Sequence, residues 1–397
     1  MIESKVEPSL TLALLERVRQ MRAAGEDVAS FAAGEPDFPT PPVVIAAAHK
    51  DMKAGDTRYV ATPGVPRLRE AIAADYRKRL KAPWVESANV LVTGGAKQGI
   101  YLALAALLER GDEVLMPAPY WVSYPHLIHA TGGKPVVLEC RAEEDFFPTV
   151  AELEAARTSK TRALIFSSPG NPTGCMITKE KLAAIIDWCF EKKVTLIYDE
   201  IYERLELTDR RHVCPLALCD EKKAEFVLCV NAASKSLAMT GWRLGYIVSH
   251  RGNVKGLSPL HGQMITCLPG FIQEGARVGL GKATQILKPV LTSYKRRRKL
   301  MMDGFKKIPG VEMLAPRGSF YICADVRHIM KRRGLVTDSE FAEVLLHEEK
   351  TVVIPGDSMG MPGWLRFSFA TSDKELKEGL KRFARFCAKS PAAASKV

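Results

Sequence analysis

The chain has 397 residues, 47% hydrophobic and 26% charged, with 57 basic against 45 acidic side chains and a formal net charge of +12. At about 150 residues per domain this length suggests two to three domains, or a large domain with a smaller companion, and it buries a core without disulfides or metal staples. Ordinary hydrophobicity excludes global disorder, and no apolar run approaches the ~20 residues that span a bilayer.

The first ten residues, MIESKVEPSL, lack the apolar centre of a secretory signal and carry acids that argue against a transit peptide. A soluble, cytoplasmic protein is expected. The basic charge concentrates in Lys295-Arg296-Arg297-Arg298-Lys299, Lys306-Lys307 and Lys331-Arg332-Arg333. Such runs usually form solvated helix faces. They also raise an alternative, a basic protein that binds nucleic acid or another anionic surface, but no helix-turn-helix, zinc-finger or RNP-type pattern accompanies them. Basic charge equally suits anionic small molecules. Among nine cysteines there is no paired spacing. His212, Cys214, Cys219 and Cys229 form the one cluster that resembles metal ligands, and buried free thiols, with no metal, are the expectation.

Between residues 45 and 285 short β-prone runs alternate with helical patterns. In chain order these are a helix over 67–80, a strand over 90–93, a helix over 97–109, strands over 113–116 and 163–166, a helix over 179–192, strands over 194–198 and 226–230, and a helix over 273–280. Alternation of this kind predicts an α/β domain with a mostly parallel sheet. A long basic amphipathic helix over 283–307 leads to a smaller domain with a strand in 318–326, a helix over 338–348, a strand over 364–370 and a last helix from Asp373. The Ala-rich tail from Lys389 is expected to be disordered.

Ligands of open α/β sheets bind beyond the carboxyl ends of the strands, so the residues after each strand carry the functional information. Gly94-Gly95-Ala96-Lys97 opens a helix with small residues whose N–H groups can approach an anion. The stretch from Pro117 to Trp121 sets an aromatic pair on a rigid turn. Ser168-Pro169-Gly170-Asn171 supplies an amide, Asp199 a carboxylate with Tyr202 close behind, and Asn231-Ala232-Ala233-Ser234-Lys235 a lysine. Singly, each reads as a turn, a core aromatic, a cap or a surface lysine. Together they match the needs of pyridoxal phosphate (PLP): an amine for its aldehyde, a plate for its ring, a carboxylate for the ring nitrogen, and amides with a cation for the phosphate.

From Pro8 to Phe386 the chain resembles the class I PLP-dependent aminotransferases of fold type I, in particular the bacterial aspartate and aromatic aminotransferase subgroup. The resemblance is carried by Gly34-Glu35-Pro36-Asp37-Phe38, Tyr59 with Gly64, Gly95-Ala96-Lys97-Gln98, and Pro119-Tyr120-Trp121-Val122-Ser123-Tyr124. It continues through Asn171-Pro172-Thr173-Gly174, Asp199-Glu200-Ile201-Tyr202, Ser234-Lys235 with Gly241-Trp242-Arg243-Leu244-Gly245, and Arg366-Phe367-Ser368. It implies a large domain (45–285) built on a mostly parallel seven-stranded sheet flanked by helices. A small α+β domain would be made from 1–44 and 286–397. The implied activity is transfer of an amino group from an L-amino acid, of aspartate, glutamate or aromatic type, to a 2-oxo acid such as 2-oxoglutarate by a ping-pong cycle.

By resemblance Lys235 holds the cofactor and moves the proton between substrate Cα and C4′. Asp199 meets the ring nitrogen, Tyr202 and Asn171 the phenolic oxygen, and Trp121 the ring face. The backbone of Gly95, Ala96 and Lys97, together with Arg243, holds the phosphate, with Tyr59 reaching the phosphate of a neighbouring subunit, which implies a homodimer. Gly34, Trp121, Asn171 and Arg366 meet the substrate, and the Asn171-Pro172 bond is expected to be cis. A C–S β-lyase or another fold type I PLP enzyme is the alternative within the same fold.

Two assignments stand without the resemblance. Period-two alternation places Leu365, Phe367 and Phe369 on one face of a strand and Arg366 with Ser368 on the other, where a guanidinium can grip a carboxylate bidentately. An ordinary surface salt bridge is the alternative. Lys97 sits in the first turn of a helix, against the macrodipole, which points to a nearby anion: the phosphate or a distal substrate carboxylate. Its alternative is a lysine reaching into water. The chain departs from the family pattern at Ala232, where Gly or a phosphate-binding Ser is usual and Ser234 could substitute. It departs again at Ile265-Thr266-Cys267-Leu268, predicting a more apolar pocket rim, and at Glu7, where some relatives are basic.

Overall fold

The computed structural model describes residues 10–389, with side chains from 13 onward. Glu7, Pro8 and the tail from Ser390 lie outside the described residues.

The central sheet contains β1 (Val90–Thr93), β2 (Glu113–Ala118), β3 (Lys134–Glu139), β4 (Thr161–Ser167), β5 (Thr195–Asp199), β6 (Val227–Ala232) and β7 (Gly245–Ser249). The strands lie in the order β1-β7-β6-β5-β4-β2-β3. Only β7 is reversed, pairing antiparallel with β1 and β6 while every other contact is parallel. Leu91, Val114, Ile165, Ile197, Val230 and Ile247 face one helical layer. Val92, Leu115, Leu164, Leu196, Cys229 and Val248 face the other. Burial on both faces explains why the inner strands are continuous apolar runs rather than alternating ones.

Two strands of this sheet were not anticipated. β3 is an edge strand, largely exposed, and its Lys134-Pro135 start blunts the β signal. β7 is short and directly follows the Gly241-to-Gly245 motif, which masks it. The helix Arg251–Ile265 was also unread, because three glycines and Pro259 dilute its apolar period. The predicted helices over 67–80, 97–109 and 273–280 appear as Pro66–Lys78, Ala96–Leu107 and Gly270–Gly281.

The 23-residue helix Ala283–Phe305 leads to a second sheet. Its strands are β8 (Glu312–Met313), β9 (Tyr321–Asp325), β10 (Ile354–Pro355) and β11 (Trp364–Ser368), antiparallel in the order β10-β11-β9-β8. Phe305, Phe367 and Phe383 stack edge-to-face behind it, with Phe367 centroids 4.9 Å and 5.1 Å from the other two. Ala29–Ser30 pairs in parallel with Thr351–Val352, joining the two ends of the chain.

The basic runs are only partly solvated faces. Lys295 and Lys299 are exposed, but Arg297 is buried, paired with Asp37 at 2.8 Å and Asp373 at 3.2 Å. Arg333 is likewise buried and paired with Glu348 at 2.8 Å. All nine cysteines are free. Cys214, Cys219 and Cys229 are buried, and burial pushes the Cys219 thiol up to about 12. His212 Nε2 lies 2.9 Å from one oxygen of Glu200, whose other oxygen accepts from the Tyr76 hydroxyl. No helix of the described residues is long and apolar enough to cross a membrane.

Candidate active site

A cavity of about 460 Å³ lies beyond the carboxyl ends of β1, β2, β4, β5 and β6 and reaches β9 and β11 of the second sheet. It gathers Gly34, Ala96, Lys97, Trp121, Asn171, Asp199, Tyr202, Lys235, Arg243 and Arg366. Ala96, Lys97, Trp121, Asn171, Asp199 and Lys235 come together as the strand-end rule predicted, and Gly34, Arg243 and Arg366 join them from elsewhere in the chain.

Asp199 ends β5 and is 4% exposed. One carboxylate oxygen accepts from the Tyr124 hydroxyl at 2.9 Å and the other from the Ile201 N–H at 3.2 Å. Burial pushes its pKa up to about 6, with those bonds and Lys235 acting in the opposite sense. Lys235 stands on the helical turn Ala233–Ser236 that follows β6, and its ammonium donates to the Gly34 carbonyl. Burial brings its pKa down to about 8, only partly opposed by Glu35 and Asp199. A poised amine and a buried carboxylate therefore share one cavity.

The loop after β1 is shaped for close backbone approach. Gly95 has φ +88°, and a Cβ there would lie 2.6 Å from an Arg243 guanidinium nitrogen. Gly245 at the start of β7 is equally constrained, since its Cβ would fall 2.5 Å from the Gly95 carbonyl carbon and 2.6 Å from the Ala96 nitrogen. Arg243 donates to the Thr240 carbonyl at 2.7 Å. Ala232, buried at the end of β6, offers no hydroxyl, while Ser234 lines the cavity.

Trp121 packs edge-on against Tyr124 with centroids 5.5 Å apart. The Lys97 ammonium stands 5.0 Å from the Trp121 ring centroid. Burial, then the repulsion of Arg243, lowers the Lys97 pKa.

Arg366 is 2% exposed, and Leu365, Phe367 and Phe369 are buried on the opposite face of its strand. It donates to Asn171 Oδ1 at 3.0 Å and to the Ala32 carbonyl at 3.2 Å, lies 4.4 Å from the Tyr321 ring centroid, and leaves Nε without a partner. Every one of these contacts is to a neutral group. A guanidinium so buried without a carboxylate is a prepared anion site, and the surface salt-bridge alternative does not describe it. The Asn171-Pro172 bond is cis.

Tyr59 is 86% exposed and stands outside the cavity of its own chain. Nor does the segment 265–268 line that cavity. Cys267 Sγ instead accepts from the Val60 N–H at 3.4 Å, beside Tyr59, and Leu268 is buried.

Several residues in or against the cavity were missed. Tyr124, bonded to Asp199, sits inside a quoted motif but had no role, as did Glu35, which accepts from Thr240 Oγ1 at 2.8 Å. Tyr321 joins through strand register, with Tyr321 opposite Ser368 and Cys323 opposite Arg366, and its hydroxyl lies 3.0 Å from that of Tyr202. Leu15 and Arg19 enter from the first described helix. Only their i,i+4 spacing could have hinted at a shared face.

The donor set fits PLP. Gly95 forms a cradle that a Cβ would fill, Lys235 opens toward a buried carboxylate, and the Arg366 Nε is orphaned where a substrate anion would sit. Such a fold and site define the fold type I class of PLP-dependent enzymes. Comparison with known proteins narrows this. Residues 26–383 match the family described as aminotransferase class I and II. The chain is 37% identical to a probable aspartate/prephenate aminotransferase of Aquifex aeolicus over 384 residues, 96% of each chain. It is 35% identical to an aspartate aminotransferase of Bacillus subtilis, covering 97% and 98% of the two chains. Among solved structures, the Thermus thermophilus aspartate aminotransferase with maleate superposes with a TM-score of 0.91 at 34% identity, over 97% of this chain and 99% of that one. The Rhizobium meliloti aspartate aminotransferase gives 0.91 at 33%, over 98% of both. The chain belongs to the class I and II aminotransferase family and is an aminotransferase.

Proposed function

We propose that this aminotransferase moves the amino group of an L-amino acid of aspartate, glutamate or aromatic type to a 2-oxo acid such as 2-oxoglutarate, by a ping-pong cycle. The relatives named for aspartate or for aspartate and prephenate support that donor class. The observation that carries the reading is Arg366, a buried guanidinium free of carboxylates in the same cavity as the Lys235 amine.

Bound there, PLP would supply an aldehyde for the amine and a protonated ring that draws electrons from the substrate. Arg366 and the Gly34 backbone bind the substrate α-carboxylate, and Asn171 holds the guanidinium in place. Lys235 Nζ takes the Cα proton and would deliver it to the cofactor's C4′, which a pKa of about 8 suits near neutral pH. Asp199 keeps a proton on the ring nitrogen, and Tyr124 orients the carboxylate that does so. The backbone of Gly95, Ala96 and Lys97, together with Arg243, would hold the phosphate, Trp121 would cover the ring, and Tyr202 with Asn171 would meet the phenolic oxygen. The exposed Tyr59 completes the site of a second copy in a homodimer, next to the segment tied to it through Cys267.

In the same reading the cofactor-binding domain covers 45–285, and the chain on either side of it, described over 10–44 and 286–389, forms the small domain. Nine free thiols suit a reducing, cytoplasmic setting. The test is a donor panel of aspartate, glutamate, tyrosine, phenylalanine, alanine, valine and methionine, read by the absorbance of the bound cofactor and by oxo-acid-dependent product. Elimination products without dependence on an oxo acid would overturn the assignment in favour of a lyase.

A further inference from the structure

Asp199 is followed by a second buried acid. Glu200 is wholly buried, yet it does not line the cavity and has no part in the assignments above. The two carboxylates leave the chain on opposite sides. Asp199 turns to Tyr124 and the cavity, Glu200 to the helix Pro66–Lys78 and to His212. Backbone bonds fix both residues: the Asp199 carbonyl accepts from the Ser168 N–H at 3.1 Å, and the Glu200 N–H donates to the Val230 carbonyl at 3.0 Å. The Glu200 carboxylate accepts from the Tyr76 hydroxyl and from His212 Nε2 at 2.9 Å.

Nothing around Glu200 offsets its charge. His212 Nδ1 is buried with no partner among the described residues. An imidazolium would leave an unpaired N–H there, so the ring that donates through Nε2 is neutral. No lysine or arginine among the described residues pairs with Glu200. The other titratable groups facing it are hydroxyls and thiols. Burial first, with Glu200 adding to it, raises the pKa of Tyr76, of Tyr198 on β5, of Cys214 and of Cys229 on β6. Burial, then Glu203 and Asp75, and after them Glu200, raise that of Tyr246 on β7.

We propose that Glu200, seated on Tyr76 and His212, is a positioning residue whose charge stands behind Asp199 and strengthens the hold of that carboxylate on the proton of the cofactor's ring nitrogen. A buried charge without a counter-ion costs folding energy, and here it adjoins the one group of the site that must keep a proton in place. A negative charge behind a carboxylate raises its proton affinity and that of a base facing it. After burial, Glu200 acts on Asp199 in this sense, against the bonds from Tyr124 and Ile201 and the charge of Lys235. The inference deepens the proposed amino transfer and rests on it.

The test compares the holoenzymes of wild type, Glu200→Gln, Glu200→Asp and Tyr76→Phe by the pH titration of cofactor absorbance and by the pH profile of kcat/KM. Glutamine keeps the shape: its amide accepts from Tyr76 and donates to His212 Nε2 once the ring proton moves to Nδ1. Loss of the charge should carry the acid limb, near pH 6 in the wild type, to lower pH. A step of about half a pH unit is expected, roughly a threefold gain at pH 5 relative to the plateau, below the ~1–3 units of a charge in direct contact. The absorbance midpoint should fall by a similar step. Glu200→Asp keeps the charge and should restore most of both, and Tyr76→Phe should move both by less than half as much. Curves unchanged in Glu200→Gln, curves moved as far by Tyr76→Phe, or a Glu200→Gln protein that takes up no PLP overturn the inference and leave Glu200 a packing residue. Both shifts in an enzyme that eliminates rather than transfers would overturn the functional reading instead and leave the role of Glu200 standing.

Discussion

The floor and the mouth of the cavity each present an arginine, held in opposite ways. Arg366 sits on β11 at 2% exposure, clamped by Asn171, the Ala32 carbonyl and the Tyr321 ring. Arg19 stands on a helix fastened through other residues, and its own side chain is 76% exposed. A buried cation without a counter-charge costs folding energy, yet it meets the substrate with no reorganisation. An exposed one costs little and discriminates only when an anion reaches it. The floor is thus fixed before any ligand arrives, while the mouth keeps the freedom of an exposed side chain.

Substitutions can break this contrast, starting with the largest effect. Lys235→Ala should reduce kcat by about 10⁴, the upper range for a positioned acid–base group, and remove the absorbance of the cofactor–lysine bond. Full turnover in that variant would remove Lys235 from the floor. Arg366→Ala should raise KM about 10²-fold for acidic and neutral donors alike, near the upper end of about 1.5–3 kcal/mol for a charged hydrogen bond. A loss confined to acidic donors would erase the distinction between floor and mouth. Gly245→Ala forces a Cβ to 2.5 Å from the Gly95 carbonyl carbon. It should destabilise the protein by about 1–3 kcal/mol in denaturant melts and weaken cofactor binding, since β7 must retreat from the cradle.

Two smaller effects sharpen the comparison. The Lys235 pKa is depressed to about 8, so the reactive free amine grows as pH rises and saturates above that value. PLP uptake by cofactor-free protein should therefore climb about tenfold per unit between pH 6 and 8 and then level off, whereas an ordinary lysine would keep climbing to ~10.4. Below about pH 6 Asp199 takes up a proton and loses the charge that holds the ring nitrogen, which limits turnover on the acid side. Tyr59→Phe should weaken cofactor affinity only about 2–10-fold, the worth of one neutral hydrogen bond near ~1 kcal/mol. An unchanged affinity would detach Tyr59 from the neighbouring site.

Sequence patterns made the floor legible because its parts announce themselves locally. Asp199, Lys235 and the Gly95 loop follow apolar strands, and Arg366 alternates with Leu365, Phe367 and Phe369. The mouth was silent: Arg19 is separated by 78 residues from Lys97 and belongs to no strand end. Tyr321 was hidden because its place depends on the register of β9 against β11, which no local signal sets. The basic run at 295–299 misled in part for the same reason, since Arg297 finds Asp37 across a span of 260 residues. Edge strand β3 escaped because exposure removes the apolar pattern that marks its buried neighbours.

The pairing of Ala29–Ser30 with Thr351–Val352 has a consequence for how the protein is made. All seven strands of the central sheet have left the ribosome once Ser249 emerges, while the segment carrying Gly34 still waits for its neighbour more than a hundred residues later. β11 and Arg366 come later still. A nascent chain can therefore build the phosphate cradle long before it can grip a carboxylate, and a truncated product ending before β11 would carry a cofactor pocket with no means of holding a substrate.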